Sequence, residues 1–250
     1  MREAPLMEHL EELRSRILWA LVAWIAMTAV AFVFRIELLA LLERPLAIYN
    51  ATARVKADLQ VLNITEPFVT SFKIAAFGGL ALALPFIVYQ IWAFIAPGLY
   101  SHERRLAVPF LLGAGFSFAV GVVFAYYVFL PYAVPFLLSF LGDLVKPNIS
   151  LGQYMSQILA FLGVMGIVFE MPVVSYLVAR LGLLSSRFLM QNWRVAIVLL
   201  ITLAAVITPT VDVFNLALIS VPLLILYAIS ILTARLGERG HLRAAQQTTG

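Results

Sequence analysis

Glu170 stands in the middle of an apolar run, with Ile158 to Phe169 leading into it and Met171 to Val178 following. An ionisable group at bilayer depth costs roughly 2.5–3.5 kcal/mol on insertion scales, so such a residue is usually kept for a polar task. Two further polar sets flank apolar runs. The first is Met7-Glu8-His9-Leu10-Glu11-Glu12-Leu13-Arg14-Ser15-Arg16. Written as a helix, it places Glu8, Glu11 and Glu12 on neighbouring faces and offers Glu12–Arg16 and Glu11–Arg14 pairs, each worth a few tenths of a kcal/mol. A solvated lead-in satisfies that pattern, although three carboxylates just before a span oppose the simplest expectation for a cytoplasmic flank. The second set runs from Trp92 through Pro97-Gly98 to Ser101-His102-Glu103-Arg104-Arg105. Trp92, Phe94 and Tyr100 fit an interfacial aromatic belt. Ser101 is suited to cap a helix beginning at His102, with Glu103 favourable in its first turn. A capping acid beside a basic anchor pair is therefore a sufficient account of Glu103 on pattern alone.

The elements that must carry these groups follow from composition. Of 250 residues, 63% are hydrophobic and 12% charged, and the mean hydropathy is +0.99. Soluble domains have roughly 45–50% apolar and about 25% charged residues, so the chain reads as an all-α, polytopic membrane protein. Its length holds about six spans of roughly 20 residues. The absence of Cys excludes disulfides, thiolate metal sites and a Cys nucleophile. His9, His102 and His241 lie outside the apolar runs, so no metal site, cofactor or intramembrane hydrolase is expected. The basic residues are not clustered as nucleic-acid binding would require. The acidic segment before the first apolar run is unlike a signal-peptide n-region.

A single membrane domain over residues 1–250 is expected, with an N-terminal segment 1–16 and a tail 233–250. Its spans run over about 17–34, 69–94, 106–130, 153–178, 195–207 and 213–232. The fifth is short for a hydrocarbon core near 30 Å, which makes local bilayer thinning plausible. A short interfacial helix over Leu38 to Leu42, ended by Arg44-Pro45, is expected in the first external loop. Pro85, Pro172 and Pro222 inside spans suggest kinks. Arg2, Arg14, Arg16, Arg104, Arg105, Arg180, Arg187, Arg194, Arg235, Arg239 and Arg243 fall on one side. Arg35, Arg44, Arg54, Lys56 and Lys146 fall on the other, and Lys73 is left inside the second span near its external end. Eleven against five puts both termini in the cytoplasm.

Taken in order, several motifs resemble one family, TatC, the polytopic receptor subunit of the twin-arginine protein translocase. They are His9-Leu10-Glu11-Glu12-Leu13-Arg14-Ser15-Arg16, Thr65-Glu66-Pro67-Phe68, and Leu84-Pro85-Phe86 through Tyr89-Gln90-Ile91-Trp92 to Leu99-Tyr100. His102-Glu103-Arg104-Arg105, Phe169-Glu170-Met171-Pro172 and Thr208-Pro209 with Asp212-Val213 complete the set. The resemblance implies a cupped, glove-like six-helix bundle in a bacterial inner membrane that is not an enzyme. It further implies binding of the twin-arginine signal peptides of folded cargo proteins. TatA- and TatB-type single-span subunits, further copies of the chain and membrane lipid would be its partners. Carried over residue by residue, signal-peptide binding falls to Glu12, Glu103, Phe94 and Arg14, and partner contact within the membrane to Glu170 and Thr208. The chemistry is consistent: a guanidinium forks onto a carboxylate with two parallel bonds, which a lysine ammonium does not match.

The sequence departs from the family at two places. A Gln usual after the last-turn Asp is Leu216 here, beside Asn215, and a Met near the end of the fifth span is Ala205. The competing expectation is a proton-coupled secondary transporter that titrates Glu170. That reading predicts several buried polar groups around a substrate cavity, whereas Glu170 stands out alone within the spans.

Overall fold

The computed structural model of the chain describes residues 6–95, 107–139, 146–207 and 213–248. Inside a bilayer every backbone polar group must be satisfied within the protein, and helices do this segment by segment. Ten α-helices are present among the described residues. They are α1 (Leu6–Val33), α2 (Arg35–Thr52), α3 (Glu66–Ile95), α4 (Ala107–Phe124), α5 (Leu130–Ser139), α6 (Leu151–Val168), α7 (Met171–Arg180), α8 (Ser186–Gln191), α9 (Trp193–Ile207) and α10 (Val213–Thr248). A π-helical turn, Ala125–Phe129, joins α4 to α5. Two short strands, β1 (Asp58–Gln60) and β2 (Asn148–Ser150), pair in parallel with Leu59 opposite Ile149.

Among the described residues, five helical stretches are long and apolar enough to cross a membrane: His9–Val33, Glu66–Phe94, Phe110–Ser139, Leu151–Arg180 and Leu216–Arg239. The chain is thus a multi-pass, almost wholly helical membrane protein. The sixth apolar helix, α9, has 15 residues and rises only about 22 Å. Large apolar side chains such as Ile17, Leu18, Ile25, Val198 and Leu199 point outward, since lipid tails solvate them as well as a protein core does.

Two helices run past their expected ends, and a third stretch breaks beside Pro172, where a kink is expected. The helix after the first span does not stop at Arg44-Pro45 but continues as α2 to Thr52. Leu42, Pro45, Leu46 and Tyr49 are all buried. They form one i, i+3, i+4, i+7 stripe whose burial outweighs the backbone bond that Pro45 forfeits. The fourth apolar stretch is two helices, α6 and α7, interrupted at Phe169-Glu170. The last helix does not end near Leu232 but runs on through its charged continuation to Thr248.

The chain divides into two compact units. The first comprises Met1–Arg44, Ala57–Gly115 and Asn148–Leu159; the second comprises Pro45–Lys56, Phe116–Pro147 and Ala160–Gly250. In the first unit, α1 lies antiparallel along α3. Trp24 Nε1 donates to the carbonyl of Ala76 at 2.9 Å, and Phe32 meets Phe72. Between these contacts a Cβ on Gly79 would stand 2.5 Å from the Thr28 backbone. Only glycine permits so close a crossing. Glu66, at the start of α3, accepts from the backbone N–H groups of Leu62 (2.7 Å) and Asn63 (3.3 Å). It also accepts from Gly152 N–H at 2.7 Å and from the Ser150 hydroxyl. One carboxylate thereby ties the loop before α3 to β2 and the start of α6.

In the second unit α10 is the post against which shorter helices stand. Glu238 accepts from both the N–H and the hydroxyl of Ser186, at 2.7 and 2.6 Å. Tyr227 donates to the carbonyl of Leu189 at 2.6 Å. The two contacts hold α8, whose own cap is Ser185 accepting from Phe188 N–H at 3.0 Å.

Candidate functional site

The antiparallel run of α1 against α3 brings the start of the first helix beside the end of the second. Glu12 lies one turn before Arg16, whose Nη2 donates to Glu12 Oε1 at 3.2 Å. The other guanidinium nitrogen, Nη1, donates to Gln90 Oε1 at 3.3 Å. Gln90 is buried, so Arg16 is gripped between an exposed helix end and a fixed amide on α3. His9 lies one turn earlier, with Nδ1 4.0 Å from Glu12 Oε2. Its ring stacks on Phe94, with centroids 4.4 Å apart and planes 16° apart. The side chain of Glu12 is about a third exposed, at 31%, which leaves its carboxylate open to a ligand in water. Trp92, buried on α3, packs against Phe110.

Of the four residues expected to bind signal peptide, Glu12 and Phe94 thus share one surface through His9. Arg14 is exposed on α1. The expected Glu11–Arg14 pair does not form among the described residues. Glu103 lies outside the described residues, as do the Pro97-Gly98 turn and the Ser101 cap. Reading from sequence named no role for Gln90. It stood inside a quoted motif, but nothing local marks a glutamine whose partner is 74 positions away.

The second unit holds the other candidate. Glu170 is the residue before α7, and its side chain makes no capping bond. Pro172 in the first turn of α7 has no N–H to offer the end of α6. Hydroxyls from neighbouring helices donate to two carbonyls around the break. Ser117 on α4 donates to the carbonyl of Phe169, and Thr233 on α10 donates to that of Pro172 at 2.8 Å. The close approach of α4 and α6 depends on Gly121 and Gly166. A Cβ at the first would meet the Met165 carbonyl at 2.6 Å, and one at the second would meet the Phe118 ring at 2.5 Å. Oε1 of Glu170 is buried and has no hydrogen-bond partner among the described residues. A lone buried carboxyl oxygen is costly, and it is available to a donor brought by another molecule. Thr208 and Asp212 lie outside the described residues, whereas Ala205 on α9 is exposed.

Among the described residues, no group of three or more His, Asp or Glu is placed to hold a metal ion.

Comparison with known proteins identifies the family. The family model for TatC, the Sec-independent protein translocase protein, matches residues 8–222. A TatC protein of Deinococcus radiodurans is 44% identical over 235 residues, covering 94% of this chain and 87% of the relative. One from Aquifex aeolicus is 37% identical over 237 residues, covering 94% and 96%. A crystal structure of the twin arginine translocase receptor TatC superposes with a TM-score of 0.80 at 36% identity, covering 92% of this chain and 99% of that one.

Proposed function

The chain belongs to the TatC family, making it a membrane subunit of a Sec-independent protein translocase rather than an enzyme, and we propose that the Glu12 surface receives the paired arginines of a twin-arginine signal peptide. The observation that most supports this is that Glu12 already holds a guanidinium, that of Arg16, whose second nitrogen is held by Gln90. An incoming arginine takes the carboxylate by exchange. Arg16 keeps Gln90 as an acceptor, and Glu12 keeps a cationic partner throughout, so neither charge is stranded. The second arginine of the pair goes to Glu103. The stacked His9–Phe94 face lies beside the carboxylate and offers an aromatic surface to a guanidinium plane or to the apolar stretch of the signal. Arg14, exposed on the same helix end, is the remaining contact.

Glu170 and Thr208 take the partner role. The free oxygen of Glu170 accepts a hydrogen bond from a single-span subunit of the TatA or TatB type, in a complex that includes further copies of this chain. The excess of basic residues on one side supports a cytoplasmic Glu12 surface, with both termini on that side of a bacterial inner membrane.

The test is equilibrium binding of a twin-arginine signal peptide to the purified chain in detergent, against the same peptide carrying Lys-Lys. Charge-assisted bonds are worth about 1.5–3 kcal/mol each. Glu12→Gln and Glu103→Gln should therefore each weaken Arg-Arg binding by about 10- to 100-fold and narrow the preference over Lys-Lys. Unchanged binding by Glu12→Gln would remove this surface from the site.

A further inference from the structure

The first unit holds a second polar hollow, at the opposite end of α3 from the Glu12 surface. The loop before α3, the start of α3 and the start of α6 border an open cavity of about 670 Å³ lined by Asn63, Thr65, Lys73, Gln153, Ser156 and Gln157. Lys73 lies two turns into α3, within a stretch apolar enough to span a membrane. A cation at that depth normally finds a counter-ion. Here Nζ donates to Ser156 Oγ at 2.9 Å, and Ser156 in turn donates to the carbonyl of Gly152 at 2.6 Å. Among the described residues, no carboxylate lies within ion-pair distance of Lys73. Glu66 also lines the cavity, but its two oxygens already take four donors, from Leu62, Asn63, Ser150 and Gly152. A carboxylate has about four lone-pair sites, so Glu66 has none left for the lysine.

Two of the three N–H donors of the Lys73 ammonium are therefore uncommitted. The amides of Asn63, Gln153 and Gln157 and the hydroxyl of Thr65 add neutral donors around it. A phosphodiester matches that set: one negative charge for the ammonium, with further acceptor oxygens for the amides. The apolar residues beside the cavity identify its source. Phe68, Val69 and Phe72 are exposed on the same end of α3, and Val69 also lines the cavity. They continue the polar hollow into a hydrocarbon-facing surface, which suits acyl chains and offers nothing to free phosphate. We propose that this cavity seats the phosphodiester headgroup of one membrane phospholipid, with Lys73 as its counter-ion and the acyl chains lying along Phe68, Val69 and Phe72.

Native mass spectrometry of the full chain in detergent tests this with three probes: phosphatidylglycerol, a diacylglycerol of the same chain length, and inorganic phosphate. Lys73→Gln retains a donor for Ser156 while removing the charge. The parent should hold one phosphatidylglycerol about fivefold more tightly than Lys73→Gln does. Lys73→Arg should restore the difference, and diacylglycerol should show none. Equal retention by parent and Lys73→Gln would overturn the site, as would equal retention of diacylglycerol. Displacement of the lipid by millimolar inorganic phosphate would overturn the lipid source in favour of a soluble anion. Should Lys73→Gln fail to fold, Gln157→Leu provides the same comparison through a lost amide donor, and lipid retention equal to the parent then counts against the site.

Discussion

Glu66 and Glu170 are both acids at the start of a helix in an apolar stretch, yet the protein treats them in opposite ways. Glu66 is saturated, with four donors from a loop, a strand and the start of α6 converging on two oxygens. Glu170 is left short, one oxygen buried without a partner among the described residues while hydroxyls from α4 and α10 satisfy the backbone carbonyls around it. The first acid ties three segments of the chain together; the second keeps one oxygen without a donor among the described residues. Glu12 stands between them, with Arg16 at 3.2 Å, His9 at 4.0 Å and a side chain about a third exposed. If the proposed roles hold, the number of internal donors separates a carboxylate that holds the fold from one that binds.

Glu66→Ala should break this contrast most severely if the contrast is wrong. The substitution removes four acceptor contacts at once and unties the loop before α3 from β2 and α6. It should give the largest fall in melting temperature among the variants considered, together with faster amide exchange at Ser150 and Gly152. A melting temperature equal to the parent would mean the saturated carboxylate does no more than the unsatisfied one.

The setting of Glu170 is tested next, by Ser117→Ala and Thr233→Val. Each removes a hydroxyl donor from a carbonyl beside the break between α6 and α7, and each should cost about 1 kcal/mol, read from unfolding in detergent. The pair should also alter partner association if the break aims Glu170. Loss of stability with association intact would assign the two hydroxyls to the backbone alone.

The intermediate case is sharpened by Gln90→Leu, which removes the second acceptor of Arg16 and keeps the volume. With only Glu12 left to it, Arg16 competes harder for the carboxylate, and signal-peptide affinity should fall a few-fold, by less than about 1 kcal/mol. Tighter binding would show that Gln90 withholds Arg16 from yielding rather than helping it to yield.

What the sequence reveals and what it conceals divides along the same physical line. Glu170 is legible because a lone charge in an apolar run violates a local rule, and Glu12 because its helix partner is one turn away. The helices themselves are legible because hydropathy acts over contiguous residues. Gln90 is not, since its contact with Arg16 arises only when α1 and α3 pack. The saturation of Glu66 is hidden for the same reason: two of its donors come from Ser150 and Gly152, more than eighty positions on. The pairing of β1 with β2 spans a similar gap and involves three residues each, too few to leave a pattern. The continuation of α2 through Pro45 defeats a local rule outright, because tertiary burial of Leu42, Leu46 and Tyr49 overrides the propensity of one residue.

The smallest effect on stability, and the most telling, belongs to Glu170→Gln. The amide has the shape of the acid but no charge to desolvate, and the acid has no internal bond at Oε1 to lose. Unfolding should therefore shift by less than about 0.5 kcal/mol, or move slightly toward greater stability. Function should not be spared in proportion. A carboxylate and an amide present different donors and acceptors to a partner helix, so association with single-span subunits, measured by co-purification, and export of a folded cargo in cells should both fall. Stability and activity would then separate at Glu170 and move together at Glu66. Should Glu170→Gln instead melt well below the parent, the free oxygen would have a partner within the folded chain, and the acid would belong with Glu66 as part of the scaffold.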